Sequence, residues 1–243
     1  MSVPEKTTAM QVENLGASYG ANPVLANVNF KIQSGQTYGL IGLNGVGKTT
    51  LIKIALGLKQ AQAGGIRIFG VSSQETQTKQ DISYLPERFD PPWFLKGDEF
   101  ILFSASLYGR KVEVSDMVRM AESLALDPAV LKNRVQSYSK GMRQKLGLIA
   151  AVLTGCKMLI LDEPMSGLDP LARSKVKDLI LSLKAEGRTV ILSSHILSDM
   201  DEICDEITVI NGGTAPFTGT PEGLKNAMSE KYLERAFLKL IHD

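Results

Sequence analysis

Hydrophobic and polar positions along the chain follow two rhythms. From Ala9 to Ile41 the period is two: Met10-Gln11-Val12-Glu13-Asn14-Leu15 alternates, and so does Val28-Asn29-Phe30-Lys31-Ile32. Alternation of this kind marks strands with one buried face. Tyr19-Gly20-Ala21-Asn22-Pro23 is a turn cluster between them, and Ser34-Gly35 and Gly64-Gly65 are further turn signals. Ile66-Arg67-Ile68-Phe69-Gly70 alternates again as a short strand, and Ile82-Ser83-Tyr84-Leu85 reads as a strand ended by Pro86. From Asp98 to Leu153 the rhythm becomes helical, with Asp127-Pro128 as a break. Met142, Leu146, Ile149 and Leu153 lie four, three and four apart, on one helix face. Ser139 is the N-cap expected for that helix.

Unbroken apolar runs come next. Lys157-Met158-Leu159-Ile160-Leu161 and Thr189-Val190-Ile191-Leu192 predict strands buried on both faces. Between them Val176, Leu179, Ile180 and Leu183 give a helix its buried stripe, with Asp169 as N-cap, Pro170 as first residue and Gly187 as stop. Glu206–Ile210 reads as a strand entering a hairpin at Asn211-Gly212. This alternation of strands and helices predicts an α/β fold, a mainly parallel sheet with helices on both faces.

The sharpest chemical signal is Gly42-Leu43-Asn44-Gly45-Val46-Gly47-Lys48-Thr49-Thr50, which fits G-x-x-x-x-G-K-[ST] over its full length. The strand-like Thr37–Ile41 precedes it, and Leu51–Gly57 comes after it as a helix stopped by glycine. In that context glycines let successive N–H groups converge on an anion, and the helix adds its positive end. Lys48 supplies a charge for β- and γ-phosphates, and the Thr49 hydroxyl is placed for Mg²⁺. A second signal closes the first unbroken run: Leu161 is followed by Asp162, Glu163 and Pro164. Carboxylates at the C-terminal end of a parallel strand lie where such sheets hold ligands. Asp162 is expected to hold the metal, and Glu163 to orient or deprotonate a water.

Composition narrows the setting. The chain has 243 residues, 44% of them hydrophobic, with a net charge of +1. That length suits one large domain or two small lobes, and the charge gives no sign of a nucleic-acid or membrane-surface footprint. Cys156 and Cys204 both flank apolar runs and read as buried thiols of a reducing compartment. Met1–Thr8 is polar and lacks a signal-peptide core. The longest apolar stretch, Leu146–Leu161, is interrupted by Lys157 and falls short of a membrane span. A role at a membrane therefore requires spans from another chain. His242 reads as solvated.

In this order the motifs resemble the ATP-binding subunit of an ABC transporter, from about Met10 to Thr220. The resemblance implies a P-loop NTPase core with an N-terminal antiparallel β-subdomain and a helical signature subdomain. It implies a single ATPase domain over 1–243, with the core at about 10–89 and 156–220, the helical part at about 90–155 and a C-terminal helix at 221–243. By the same resemblance Tyr19 stacks on adenine, His195 is the switch histidine, and Ser166-Gly167-Leu168-Asp169-Pro170 is the D-loop, Asp169 included among the nucleotide contacts. Tyr138-Ser139-Lys140-Gly141-Met142 stands at the signature position, where Leu-Ser-Gly-Gly-Gln is usual. Ser139 and Gly141 are retained to cap a γ-phosphate, and Lys140 adds a positive charge. Glu87 stands where glutamine usually meets the metal. Both departures resemble bacterial exporter-type members, as does the tail Tyr232–Leu240.

The resemblance further implies a cytoplasmic subunit, peripheral on the inner face of the membrane. Such a subunit hydrolyses Mg²⁺-bound ATP for a separate permease, with export favoured. Two copies would sandwich ATP between the loop at Lys48 of one and Ser139–Gly141 of the other. Trp93 and Phe94, beside Pro91 and Pro92, fall where that permease docks. The alternative is a soluble ABC ATPase acting on nucleic acid or ribosomes. It is disfavoured because no coiled-coil insertion, second ATPase domain or basic extension is visible. No nucleic-acid partner is expected.

Overall fold

The computed structural model of the chain describes residues 7–242. The polar reading of Met1–Lys6 lies outside them. Strands β1 (Thr8–Tyr19) and β2 (Asn22–Gln33) form a hairpin, and β3 (Thr37–Ile41) leads through the glycine loop into α1 (Lys48–Ala55). Next come β4 (Ala63–Ile68), β5 (Val71–Ser72) and β6 (Ile82–Leu85), then the helices α2 (Gly97–Ser106), α3 (Val114–Ser123) and α4 (Lys140–Leu153). The last third alternates: β7 (Met158–Asp162), α5 (Pro170–Ala185), β8 (Thr189–Ser193), α6 (Leu197–Ile203), β9 (Glu206–Asn211), β10 (Thr214–Gly219), α7 (Pro221–Met228) and α8 (Leu233–His242).

The strands make two sheets. One has four strands in the order β2-β1-β4-β5, all antiparallel. The other has six in the order β10-β9-β3-β8-β7-β6, parallel except for the β9–β10 hairpin. The expected α/β class, the mainly parallel sheet and the N-terminal antiparallel sheet are all present.

Burial on two faces explains the unbroken apolar runs. Met158 and Ile160 of β7 join Tyr38, Leu40 and Ile191 in a core shared with α1 and the inner face of the antiparallel sheet. Leu159 and Leu161 point the other way, into a core with Val190, Leu192, the stripe of α5 and residues of α4, α6 and α8. Every second residue thus feeds a different core.

Four expectations need correction. Gly64 and Gly65 are not a turn but lie inside β4. Gly64 has φ +61°, and a Cβ there would sit 2.0 Å from the Glu13 carbonyl oxygen. Only glycine permits this approach, beside a register shift between Glu13 and Gly16. The first core helix begins at Lys48 rather than Leu51. The helical stretch has more breaks than Asp127-Pro128: the chain leaves α2 through Gly109, and short 3₁₀ turns at Pro128–Lys132 and Val135–Ser137 precede α4. The tail at 221–243 is two helices, not one, because Ser229 takes φ +55° and ends α7.

Candidate functional site

Strands β3, β8, β7 and β6 are parallel neighbours, so the segments leaving their C-terminal ends emerge along one edge. Those segments carry Gly42–Gly47, His195, Glu163 and Glu87, which are far apart in sequence. They enclose an open cleft of about 510 Å³, walled by the glycine loop, Lys48, Thr49, Thr50, Glu87, Asp162, Glu163 and Tyr19. A smaller cavity of about 230 Å³ adjoins it, sharing Asn44, Glu87 and Glu163 and adding Gly42, Leu43, His195 and Phe237 of α8.

The loop turns into α1 at Gly47, whose φ is +115°. A Cβ there would stand 2.7 Å from Leu25 Cδ2 and 3.0 Å from the Val24 carbonyl oxygen, so both conformation and space demand glycine. Gly47 offers α1 no side-chain cap, which leaves the N–H groups of the first turn free for an anion. Lys48 is buried, and its Nζ donates to the carbonyl oxygens of Gly42 at 2.6 Å and Leu43 at 3.1 Å. Burial lowers its pKa, while Glu163, Asp162 and Glu87 act in the opposite sense. One ammonium therefore serves three carboxylates.

Asp162 ends β7 almost fully buried, and burial raises its pKa; the hydrogen bond from Ser193 counters this, and Glu87 and Glu163 add to it. Glu163 follows with φ +50°, a conformation uncommon outside glycine that re-aims the chain as it leaves the sheet. Its Oε2 lies 2.7 Å from His195 Nδ1. Against an ionised carboxylate that nitrogen carries the proton, which leaves Nε2 as the acceptor of the neutral ring. Ser193 was not singled out from sequence, yet it touches both acids: its hydroxyl donates to Asp162 Oδ1 and accepts from the Glu163 N–H at 3.0 Å. The available signal was a serine closing an otherwise apolar strand. Gln144 was also missed; its Nε2 donates to the Pro164 carbonyl at 3.1 Å and ties α4 to the segment after Glu163.

The remaining candidates fall in three places. Tyr19 is half exposed on the cleft wall, with Lys59 Nζ 4.2 Å from its ring centroid. Glu87 is exposed and lines both cavities. Val46 lines neither cavity and packs against the inner core. Ser139, Lys140, Gly141 and Asp169 lie outside both cavities. Ser139 caps α4 by accepting from the Met142 N–H, and Asp169 caps α5 by accepting from the Ala172 N–H. Lys140 runs beside Gly167, placing the signature and D-loop segments together on one exposed edge.

No cluster of three His, Cys, Asp or Glu side chains able to hold a metal occurs among the described residues. The donors that do meet, the Thr49 hydroxyl with the Asp162 and Glu87 carboxylates, are hard oxygens. Mg²⁺ takes one or two carboxylates and completes its shell with phosphate oxygens and water, so the donor set fits it. Among the described residues no helix is long and apolar enough to cross a membrane.

Known proteins resemble this chain in sequence and in fold. The family model described as ABC transporter matches residues 25–166. An uncharacterized ABC transporter ATP-binding protein of Synechocystis is 39% identical over 209 residues, covering 82% of this chain and 59% of its own. This chain thus spans about three-fifths of that relative, and 64% of a similar uncharacterized protein of Nostoc. A lantibiotic transport ATP-binding protein of Streptococcus pyogenes is 33% identical, covering 89% of this chain and 93% of its own. A Nod factor export ATP-binding protein of Rhizobium etli is 32% identical over 89% of this chain and 70% of its own. A solved structure of the ATP-binding subunit of an ABC transporter superposes with TM-score 0.87 at 29% identity, over 96% of this chain and 99% of that one.

Proposed function

This chain belongs to the ABC transporter family, and from that premise we propose that it binds and hydrolyses ATP to drive a separate membrane permease, in the direction of export. The observation that carries the reading is one cleft walled by Lys48, Asp162, Glu163 and Glu87, with His195 bonded to Glu163. Residues 1–243 act as one ATPase domain, the helical part at about 90–155 carrying the signature segment.

In this reading the N–H groups of the loop and of the first turn of α1 cradle the triphosphate, and Lys48 transfers its hydrogen bonds from the loop carbonyls to the β- and γ-phosphates. Tyr19 supports the adenine ring. Thr49, Asp162 and Glu87 would hold Mg²⁺, which when bound would offset the charge developing on the γ-phosphate. Glu163 accepts the proton of the attacking water. His195 holds that carboxylate in place through Nδ1, and its ring stands ready for the γ-phosphate. Water is excluded only when the open cleft is covered, and the cover is a second copy. Ser139 and Lys140 lie exposed, Gly141 lies half-buried, and all three are outside the cleft of their own chain, which supports a role in the partner's site. Closure then results from contacts made only with the γ-phosphate.

The permease supplies the membrane spans and holds the chain at the inner face of the membrane. Trp93 and Phe94 support this: both are more than half exposed and pack edge to face, with Leu102, Phe103 and Leu107 exposed on the following helix and its end. Export is supported by the names of relatives, lantibiotic transport and Nod factor export among them. Two measurements test the reading: phosphate release by the purified chain with Mg²⁺-ATP, and identification of what co-purifies with it from membranes. Absence of nucleotide-dependent turnover both alone and with its membrane partner would overturn it.

A further inference from the structure

Ser193 closes β8 opposite Asp162, which closes β7, and the paired register of the two strands ends at these residues. Beyond that point Glu163 turns to positive φ, so its N–H leaves the ladder. A buried N–H must find another acceptor, and it finds the Ser193 hydroxyl at 3.0 Å. The same hydroxyl donates its one proton to Asp162 Oδ1. Ser193 is fully buried, and Asp162 and Glu163 are nearly so, which leaves water little access to replace either bond.

We propose that Ser193 is a positioning residue for the metal-linked part of nucleotide binding. It holds one oxygen of Asp162 so that the carboxylate is presented to Mg²⁺ at a set angle. It also pins the peptide of Glu163 in the conformation that aims its side chain at His195. A hydroxyl that only closed a strand would need one of these two bonds; the observed one is donor to the metal candidate and acceptor from the base candidate. Partners that orient a metal ligand are worth about 10–100-fold in metal affinity or activity. The proposal rests on the reading of Asp162 as the Mg²⁺ ligand.

The experiment measures affinity of the full chain for a fluorescent ATP analogue, first in EDTA and then as Mg²⁺ is added. The parent is compared with Ser193→Ala and Ser193→Thr, with melting temperature recorded for each. Ser193→Cys, nearly isosteric but a weak donor, serves if Ser193→Ala does not fold. The expected result is unchanged affinity in EDTA, with the Mg²⁺ midpoint moved up about 10–100-fold in Ser193→Ala and near the parent in Ser193→Thr. A parent midpoint in Ser193→Ala overturns the proposal and leaves the Asp162 reading intact. Equal losses with and without Mg²⁺ also overturn it, because a structural defect alone gives that. Affinity of the parent that ignores Mg²⁺ removes the Asp162 reading, and the proposal falls with it.

Discussion

His195 Nδ1 lies 2.7 Å from Glu163 Oε2 although the two residues are separated by 32 positions and leave different strands. The pair gives the site a carboxylate whose orientation depends on a histidine. Glu163→Gln is expected to bind ATP, to hydrolyse it about 10²–10⁴-fold more slowly, and to trap an ATP-bound dimer. His195→Ala should slow hydrolysis while leaving ATP affinity near the parent, since Lys48 and the loop are untouched. Phosphate release and size-exclusion chromatography with ATP check both. Near-normal turnover in Glu163→Gln would remove Glu163 from the role of base.

Among the described residues Lys48 is the one cation lining the cleft, and it faces three carboxylates. In Lys48→Ala the phosphates lose their charge-assisted partner, worth about 1.5–3 kcal/mol for each such hydrogen bond. Binding of a fluorescent ATP analogue is expected to weaken by at least about 10-fold, the lower end of that range. Unchanged affinity would mean that the loop is not the phosphate site.

Glu87 lines both cavities, six residues before the exposed Trp93. A carboxylate at the edge of the metal attracts it more strongly than a neutral amide, and more so where water is partly excluded. Glu87→Gln should fold, should still bind nucleotide, and should need more Mg²⁺ for half-maximal ATPase. Trp93 emission, from the only tryptophan, should respond to Mg²⁺-ATP in the parent. A mutant with the parent's Mg²⁺ dependence and a silent Trp93 would detach this loop from the metal.

Tyr19 stands on the cleft wall with Lys59 Nζ over its ring, and the same ammonium donates to the Ser18 carbonyl at 3.1 Å. Tyr19→Ala is expected to weaken ATP by about 1–3 kcal/mol, the range for base–aromatic stacking. Affinity for inorganic triphosphate, which has no base, should stay the same. Equal weakening of both ligands contradicts stacking.

Ile160 lies in the middle of β7 with 1% of its surface exposed. Ile160→Ala leaves a cavity between the sheet and α1 and should cost about 2–5 kcal/mol. Urea unfolding read at the midpoint with an unchanged slope checks it.

Elements whose logic is local were legible along the chain. The glycine loop needs its own backbone and one lysine, all within nine consecutive residues. The caps at Ser139 and Asp169 each bond an N–H three positions on, so the sequence already contains both partners. The doubly buried strands declare themselves because both faces are covered, so β8 and β7 up to Asp162 carry no charged residue. Gly64 and Gly65 misled for the opposite reason: a glycine reads the same whether it makes a turn or lets two strands crowd together, and only the partner strand distinguishes these.

The sequence by itself determined the strand–loop–helix at Lys48, the acids at the end of β7 and the class of fold, because each depends on residues adjacent or one helical turn apart. Only the tertiary structure decided that Ser193 holds both acids, that His195 meets Glu163, that Lys59 covers Tyr19 and that Phe237 walls the cavity beside the loop. The pairings of Ser193 with both acids and of His195 with Glu163 depend on strand order and register, β3-β8-β7-β6; the other two depend on how α1, the antiparallel sheet and α8 pack around that sheet. Strand order is the outcome of burying two faces of one sheet at once, and no single stretch of chain carries it.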